Sequence, residues 1–482
     1  MDVNQLTITE NCDIKVALST IDATGLGTLF VVNENSELIG VLTDGDIRRA
    51  LLRGVGLDVL VTVIMNRSFI SLPVETDAAE ILNNLNETIK IIPLVDFKNK
   101  LVDYASSNKI RRISVSTPLL NGNELAYVTE CIKTNWVSSQ GKYVKKFEEV
   151  FSQYHEGRKS LAVSNGTVAL HLALEALKIG PGDEVIVPDL TFAASVNAIL
   201  YTGAIPVLVD IDPVTWNIDI SKIEKSITER TKAIMPVHLY GLPCEMDDIM
   251  SLATRYNLYV IEDCAEALGS TYHGKAVGTF GDVATFSFYG NKTITTGEGG
   301  MIVFKNEATA DFGALLRDHG MSKSRRYWHD YVGFNYRITN LQAALGVAQF
   351  ERLDEFVSSK IQNAKFYNAL FNSLSYFETP FDDKNSKNSF WLYTCLVKKE
   401  APFTRDQLIE FLNQKGIETR PVFYPMHMMP PYTQFVPHLI ENSIDISQRG
   451  ISLPSSASLS NIELEYIKKM VVSFVNQFGV KS

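Results

Sequence analysis

The chain has 482 residues, enough for two to four domains, and is 45% hydrophobic and 21% charged, as expected of a globular protein with a sizeable core. Its formal net charge of −10 excludes the broad basic footprint of a nucleic-acid binder and gives no attraction to an anionic membrane. An anionic substrate must therefore be met by a local cationic or amide-rich pocket.

The chain opens on MDVNQLTITENCD, which is polar and acidic and unlike a secretory signal. No apolar run approaches a membrane span, so the expectation is a protein of the reducing cytoplasm. The run TLFVVNENSELIGVLTDGDIRRALLRG then predicts a strand, a turn at Asn33–Ser36, a second strand, and a helix opening after Thr43-Asp44-Gly45-Asp46. A weaker copy, IIPLVDFKNKLVDYASSNKIRR, repeats strand, turn at Phe97–Lys100, strand and helix. With two such halves, residues 1–112 resemble a pair of CBS motifs, through Gly40, Thr43 and Asp46 in GVLTDGDIRR. That resemblance implies an adenine nucleotide, with Thr43 on phosphate and Asp46 on ribose hydroxyls. The second copy departs from it, with Ala105 and Asn108 at the matching positions. Thr43 and Asp46 also suit a helix cap, and the residues alone leave both roles open.

Residues 113–118 read as a linker. Beyond them, short apolar strands alternate with helices through about residue 355, predicting an α/β domain with a largely parallel sheet over 119–355. Residues 356–482 mix helices with fewer strands and read as a smaller C-terminal α/β domain.

Ligands of open parallel sheets sit at the carboxyl ends of strands, and unusual residues fall at such ends here. Ser164-Asn165-Gly166-Thr167 joins a strand to a helix whose first-turn amides suit a phosphate, or simply make a well-capped helix. The strand YVIED ends in Asp263, followed by Glu266; such a carboxylate caps a helix or holds a cationic heterocycle. FSFYGNKTITTGEGG brings Ser287 and Lys292, a lysine in a partly apolar setting where a lowered pKa would let it condense with a carbonyl. Each signal is weak alone. In this order within one α/β domain they describe a pyridoxal 5′-phosphate site.

The five cysteines (Cys12, Cys131, Cys244, Cys264, Cys395) are scattered and form no CxxC pair. Neither a metal site, a disulfide framework nor an iron–sulfur centre is expected from them.

With these residues in place, the stretches DPVTWNID, MPVHLYG, FSFYGNKTITTGEGG, LRDHGMSKSRRYWHDYVGFNYRITNLQAALG and ETRPVFYPMHMMPPY resemble the sugar aminotransferase family known as the DegT/DnrJ/EryC1/StrS group. The resemblance covers about three quarters of the chain, from Pro118 onward. It implies pyridoxal-phosphate fold type I, the aspartate aminotransferase-like architecture. Lys292 matches the lysine joined to the cofactor and Asp263 the partner of its ring nitrogen. Phe192 matches an aromatic ring stacked on the cofactor, and Gly166, Thr167 and Ser287 match phosphate contacts. Glu266 matches a contact to the ring hydroxyl, where Gln is frequent; an ionised Glu only accepts, whereas Gln also donates. Asn335 matches a residue that reaches the phosphate from the neighbouring subunit, which implies a homodimer. Trp136, Ser139, His329, Arg420 and His427 match loops around the nucleotide-sugar pocket, and His238 falls either in the wall near the cofactor or in a structural position.

The implied reaction moves an amino group from L-glutamate to a nucleotide-linked 4-keto-6-deoxy sugar, with GDP-4-keto-6-deoxymannose favoured, for surface polysaccharide (O-antigen) biosynthesis. Relatives that dehydrate such sugars carry histidine in place of the lysine, so Lys292 selects amination. UDP-linked 4-keto-6-deoxy amino sugars are the alternative acceptors. A nucleotide-sensing regulator that has lost activity is the alternative of another class.

Overall fold

The computed structural model describes residues 3–478, apart from 75, 77–79, 82–83, 87, 107–108, 110–111 and 437. The chain forms two compact units, residues 1–113 with 411–417 and residues 114–410 with 418–482.

The first unit contains the repeat. Strands β1 (Thr7–Thr9), β2 (Thr28–Val32) and β3 (Leu38–Thr43) form one three-stranded sheet; β4 (Leu72–Pro73), β5 (Ile91–Val95) and β6 (Leu101–Ser106) form another. In each, the first pair is parallel and the second antiparallel. Each antiparallel pair carries a register shift at the corresponding place, Val31/Val32 and Leu94/Val95. The turns match too. Asn33 Oδ1 accepts the amides of Asn35 and Glu37, and Asp96 Oδ1 those of Lys98 and Lys100. The left-handed turn residues are Ser36 (φ 63°) and Asn99 (φ 58°).

This register corrects the sequence expectation for the second copy. Thr28 pairs with Thr43, and Ile91 pairs with Ser106, so Ser106, not Ala105, corresponds to Thr43. Three residues on, Lys109 corresponds to Asp46; Asn108 lies outside the described residues. Local geometry agrees: Ser106 Oγ accepts the Lys109 amide at 3.1 Å as Thr43 Oγ1 accepts that of Asp46 at 3.2 Å. A one-residue slip is invisible in a short sequence match, but in a ladder it would turn every side chain to the other face.

The helix after β3 begins at Asp44, earlier than expected, because Thr43 is its N-cap. Thr43 and Asp46 close a capping box, and Asp46 also accepts from Arg49 at 2.5 Å. The two side chains are thus engaged with each other, the reading that the residue types alone also allowed.

The second unit is built on a seven-stranded sheet. In chain order its strands are β7 (Lys159–Val163), β8 (Glu184–Pro188), β9 (Ile205–Val209), β10 (Thr231–Ile234) and β11 (Tyr259–Asp263); after a short ribbon of β12 (Thr271–Tyr272) and β13 (Lys275–Ala276) come β14 (Val283–Ser287) and β15 (Gly300–Phe304). Their spatial order is β7-β15-β14-β11-β10-β8-β9, and only β15 runs antiparallel to its neighbours. The strands are almost wholly buried, as parallel strands covered on both faces must be. Later in the chain come β16 (Phe377–Glu378), β17 (Ser386–Lys387), which pairs with β12, and then β18 (Tyr393–Val397), β19 (Arg420–Pro421) and β20 (Gly450–Leu453). β16, β18, β20 and β19 form a four-stranded sheet in that order.

The connections at the carboxyl ends of β7, β8, β11 and β14 therefore lie along one edge of the large sheet. Residues 164–167, 189–192, 264–266 and 288–292 belong to them, and Asp263 and Ser287 are the last residues of β11 and β14.

Candidate active site

These carboxyl-end loops enclose a cavity of about 610 Å³. It is lined by Gly166, Thr167, Phe192, Asp263, Glu266, Ser287, Lys292 and Arg420, so eight of the expected site residues are brought together.

Each is held for a local reason. Asn165 caps the helix Gly166–Ala176 by accepting the Val168 amide at 2.9 Å, which leaves Gly166 and Thr167 in the first turn, at the positive end of the helix dipole. A Cβ on Gly166 would stand 2.8 Å from Ser287 Cβ, so only glycine lets this turn close against the end of β14. Gly300 on β15 is equally constrained: a Cβ there would lie 2.5 Å from the Asn165 carbonyl oxygen. Phe192 precedes the helix Ala193–Tyr201 and is 61% exposed, an aromatic face left open towards the cavity it lines.

The charged groups are buried. Asp263 is 3% exposed and accepts from Ser195 Oγ at 2.8 Å and from the Ala265 amide at 3.1 Å. Burial pushes its carboxyl above the ordinary value, although these donors and the Lys292 charge oppose the shift. Glu266, 4% exposed, accepts the Tyr240 amide at 2.9 Å, and its Oε1 lies 3.7 Å from Lys292 Nζ. Burial pushes Glu266 up to about 7, against the Lys292 charge. The Lys292 amine is pushed below its usual range, first by burial, against the attraction of Glu266 and Asp263. Carboxyl and amine are both driven toward their neutral forms, the state a lysine needs to act as a nucleophile.

Other expected residues stand elsewhere in this chain. Asn335 Oδ1 accepts from Arg337 at 3.0 and 3.2 Å and does not line the cavity. His329 Nδ1 lies 2.8 Å from the His319 carbonyl. Trp136 lines a separate cavity of about 410 Å³ beside Tyr143 and Asn340; Ser139 follows it in a turn and is half-buried. The His427 Nδ1 sits 2.8 Å from the buried Asp189, whose other oxygen accepts the His427 amide at 2.8 Å. That clamp joins the 3₁₀ turn Met426–Met428 to the loop that carries Phe192.

His238 is wholly buried outside the cavity lining. Its Nδ1 accepts the Cys244 amide at 3.0 Å, which places the ring proton on Nε2, facing Glu262 at 3.2 Å. With Cys264, these side chains make a compact His–Glu–Cys cluster. The Glu262 oxygens also accept the amides of Gly278, Phe280 and Gly281 at 2.7–3.0 Å, so the cluster braces the start of the 278–281 loop.

Among the cavity residues that escape the sequence reading, Ser195 and Trp391 touch the charged groups directly. Ser195, the donor to Asp263, sits in PDLTFAAS three residues after Phe192, where a first helical turn brings it round to the sheet. Trp391 lies under Lys292, with Nζ 3.7 Å from the indole centroid. Their sequence separation of about one hundred residues gives no local signal.

The donor set fits pyridoxal phosphate. Asp263 is a buried carboxylate whose charged form calls for a cation such as a protonated ring nitrogen. The first turn of the helix at Gly166 and the Ser287 hydroxyl suit the phosphate. Lys292 offers a buried amine for the aldehyde, and Phe192 offers an open ring face.

Comparison with known proteins accords with this geometry. Residues 118–472 match the DegT/DnrJ/EryC1/StrS aminotransferase family, and residues 1–53 match the CBS domain. GDP-perosamine synthase of Caulobacter vibrioides is 50% identical over 361 residues, covering 74% of this chain and 96% of that protein. GDP-perosamine synthase of Escherichia coli O157:H7 is 50% identical over 366 residues, covering 76% and 99%. Among solved structures, the PLP form of the putative sugar aminotransferase Spr1654 from Streptococcus pneumoniae is similar with a TM-score of 0.71 at 28% identity, covering 76% of this chain and 99% of that one.

Proposed function

Because the chain belongs to the DegT/DnrJ/EryC1/StrS aminotransferase family and carries a CBS domain at its N-terminus, we propose that it aminates GDP-4-keto-6-deoxymannose with L-glutamate as donor, forming GDP-perosamine for a surface polysaccharide. The enzyme is a pyridoxal phosphate-dependent sugar aminotransferase with the fold of that family. The observation that carries the choice of sugar is 50% identity to two GDP-perosamine synthases over nearly their whole length.

When bound, pyridoxal phosphate supplies an aldehyde that exchanges amines and a ring that accepts electrons. On this reading Lys292 holds the aldehyde carbon, Asp263 the ring nitrogen, Phe192 the ring face, Glu266 the ring hydroxyl, and Gly166, Thr167 and Ser287 the phosphate. Asp263 keeps the ring nitrogen protonated, and Ser195 orients its carboxylate. Once displaced by the donor, the Lys292 amine takes the proton from the donor's α-carbon and later delivers one to C4 of the sugar. Burial supports this role by disfavouring its charged form. Arg420, the cavity's remaining cation among these residues, meets the anionic substrate, with Trp136, Ser139, His329 and His427 in the surrounding loops.

The reading extends to assembly and organisation. Asn335 serves the phosphate of a neighbouring subunit in a homodimer, a role that rests on the match of GFNYR to the family. Residues 1–112 form the CBS pair, 113–118 the linker, 119–355 the cofactor-binding domain and 356–482 the smaller domain. An adenine nucleotide binds the CBS pair near Thr43 and Asp46; kinetics unaltered by ATP, ADP and AMP would count against it.

The deciding experiment incubates the enzyme with L-glutamate and either GDP- or UDP-linked 4-keto-6-deoxy sugars and reads the aminated product by mass spectrometry. Amination of the GDP sugar at a far higher kcat/KM is expected. A preference for the UDP sugar, or no amine transfer to either, overturns the proposal.

A further inference from the structure

Trp391 occupies a place that the chemistry assigned above does not yet use. Its indole is 4% exposed, and the Lys292 ammonium position lies 3.7 Å from the ring centroid. The ring is pinned from two sides. Its Nε1–H donates to the Asn291 carbonyl at 2.8 Å, and Asn291 is the chain neighbour of Lys292. Its own carbonyl accepts from Lys360 Nζ at 3.1 Å. Lys360, on the helix Leu353–Asn372, is 3% exposed and donates also to the Ser455 carbonyl at 3.0 Å. A buried amine is costly to keep. Here it ties together two backbone carbonyls, one of them that of the residue beneath Lys292.

We propose that Trp391 is a positioning residue for Lys292: its indole face receives the ammonium form of that side chain whenever the amine is not joined to the cofactor, and Lys360 holds the indole in place. The inference rests on Lys292 being the cofactor lysine. The face of an indole carries negative potential and favours an ammonium over a neutral amine. Among the charged groups around Lys292, Asp263 at the end of β11 and Glu266 just beyond it also favour the ammonium, and Arg420 from β19 opposes it; Glu298 lines the same cavity, and Lys360 lines a second pocket with Lys292. On the reading above, the cofactor engages both carboxylates through its ring nitrogen and hydroxyl. The indole then remains a contact for the displaced amine, and it keeps that amine inside the cavity while the amine is protonated.

The test measures the proton affinity of Lys292 in the full-length chain freed of cofactor, by the pH dependence of its labelling with acetic anhydride, read by mass spectrometry of the Lys292 peptide. Trp391→Leu is expected to lower the amine's pKa by about half to one and a half units, the size of a partly desolvated cation–π contact. Trp391→Phe, which keeps an aromatic ring, lowers it less and carries the test if the leucine variant does not fold. In a Lys360→Met background the effect of the Trp391 substitution shrinks at least about twofold, a comparison that cancels the direct charge effect of Lys360. A Lys292 pKa unchanged in both Trp391 variants overturns the inference, and an undiminished effect in the Lys360→Met background overturns the part given to Lys360. Failure of the underlying assignment reads differently: borohydride reduction of the cofactor-loaded enzyme would then mark a peptide that lacks Lys292.

Discussion

Oε1 of Glu266 lies 3.7 Å from Nζ of Lys292, and the carboxyl's other oxygen accepts the amide of Tyr240. Acid and amine share one buried space, and burial drives each toward neutrality.

That relationship predicts a pH-dependent stability. Glu266 titrates at about 7 when folded, against an ordinary 4.5, so the folded state binds its proton more tightly than the unfolded one. Its contribution is full below about pH 4.5 and is lost as pH rises through about 7, amounting to no more than about 3 kcal/mol. Chemical denaturation of the cofactor-free protein should show Glu266→Gln gaining stability over wild type as pH rises across that window. Parallel curves for the two proteins would refute the burial argument.

Ser195→Ala removes the hydroxyl that donates to Asp263 Oδ2. A hydrogen bond to a charged group contributes about 1.5–3 kcal/mol, so the Asp263 carboxyl should rise by about one to two pKa units. The pH profile of kcat/KM should lose its acid side accordingly, while Asp263→Asn loses activity across the whole range. An unshifted profile in the serine variant would remove Ser195 from the site.

Gly166→Ala forces a Cβ to within 2.8 Å of Ser287 Cβ. The helix start must then move off β14, and overpacking of this kind costs about 1–3 kcal/mol. Equilibrium dialysis should show pyridoxal phosphate held roughly 5- to 100-fold more weakly, with the far-UV spectrum unchanged. Wild-type retention would show that the turn does not serve the phosphate.

Lys292→Ala should lower amine transfer at least about 100- to 10,000-fold, the range of a lost proton shuttle alone. A variant with near-normal transamination would sink the assignment of this lysine.

In the N-terminal unit, Thr43→Ala removes the capping box and should cost about 0.5–2 kcal/mol, whereas Thr43→Ser should be nearly neutral. Burial raises the Asp46 pKa, but hydrogen bonds from Thr43 and Arg49 prevail and hold it below its ordinary value. Its share of stability is therefore present above about pH 4 and is lost as pH falls below that. Thermal melts at pH 7 and pH 3 check both statements.

Much of the site was legible because each piece is local. A strand end followed by a glycine turn, an acid closing YVIED and a lysine after FSFYG are read within a dozen residues, and a parallel sheet gathers such ends along one edge. The second repeat lies one residue from its sequence match because Ala105 and Ser106 are both small and only the ladder's hydrogen bonds separate them.

By itself, then, the sequence determined the α/β class, the family and the N-terminal CBS domain, and it placed the candidate lysine, acids and serine at or just beyond strand ends. Those follow from periodicity, turn chemistry and short motifs, which act over a few residues. Tertiary structure alone decided which groups face one another. It set Ser195 against Asp263, Asp189 against His427, and Trp391, held by Lys360, beneath Lys292. It also decided the direction in which the Asp263, Glu266 and Lys292 pKa values move, because desolvation depends on everything packed around a group and not on its neighbours in the chain.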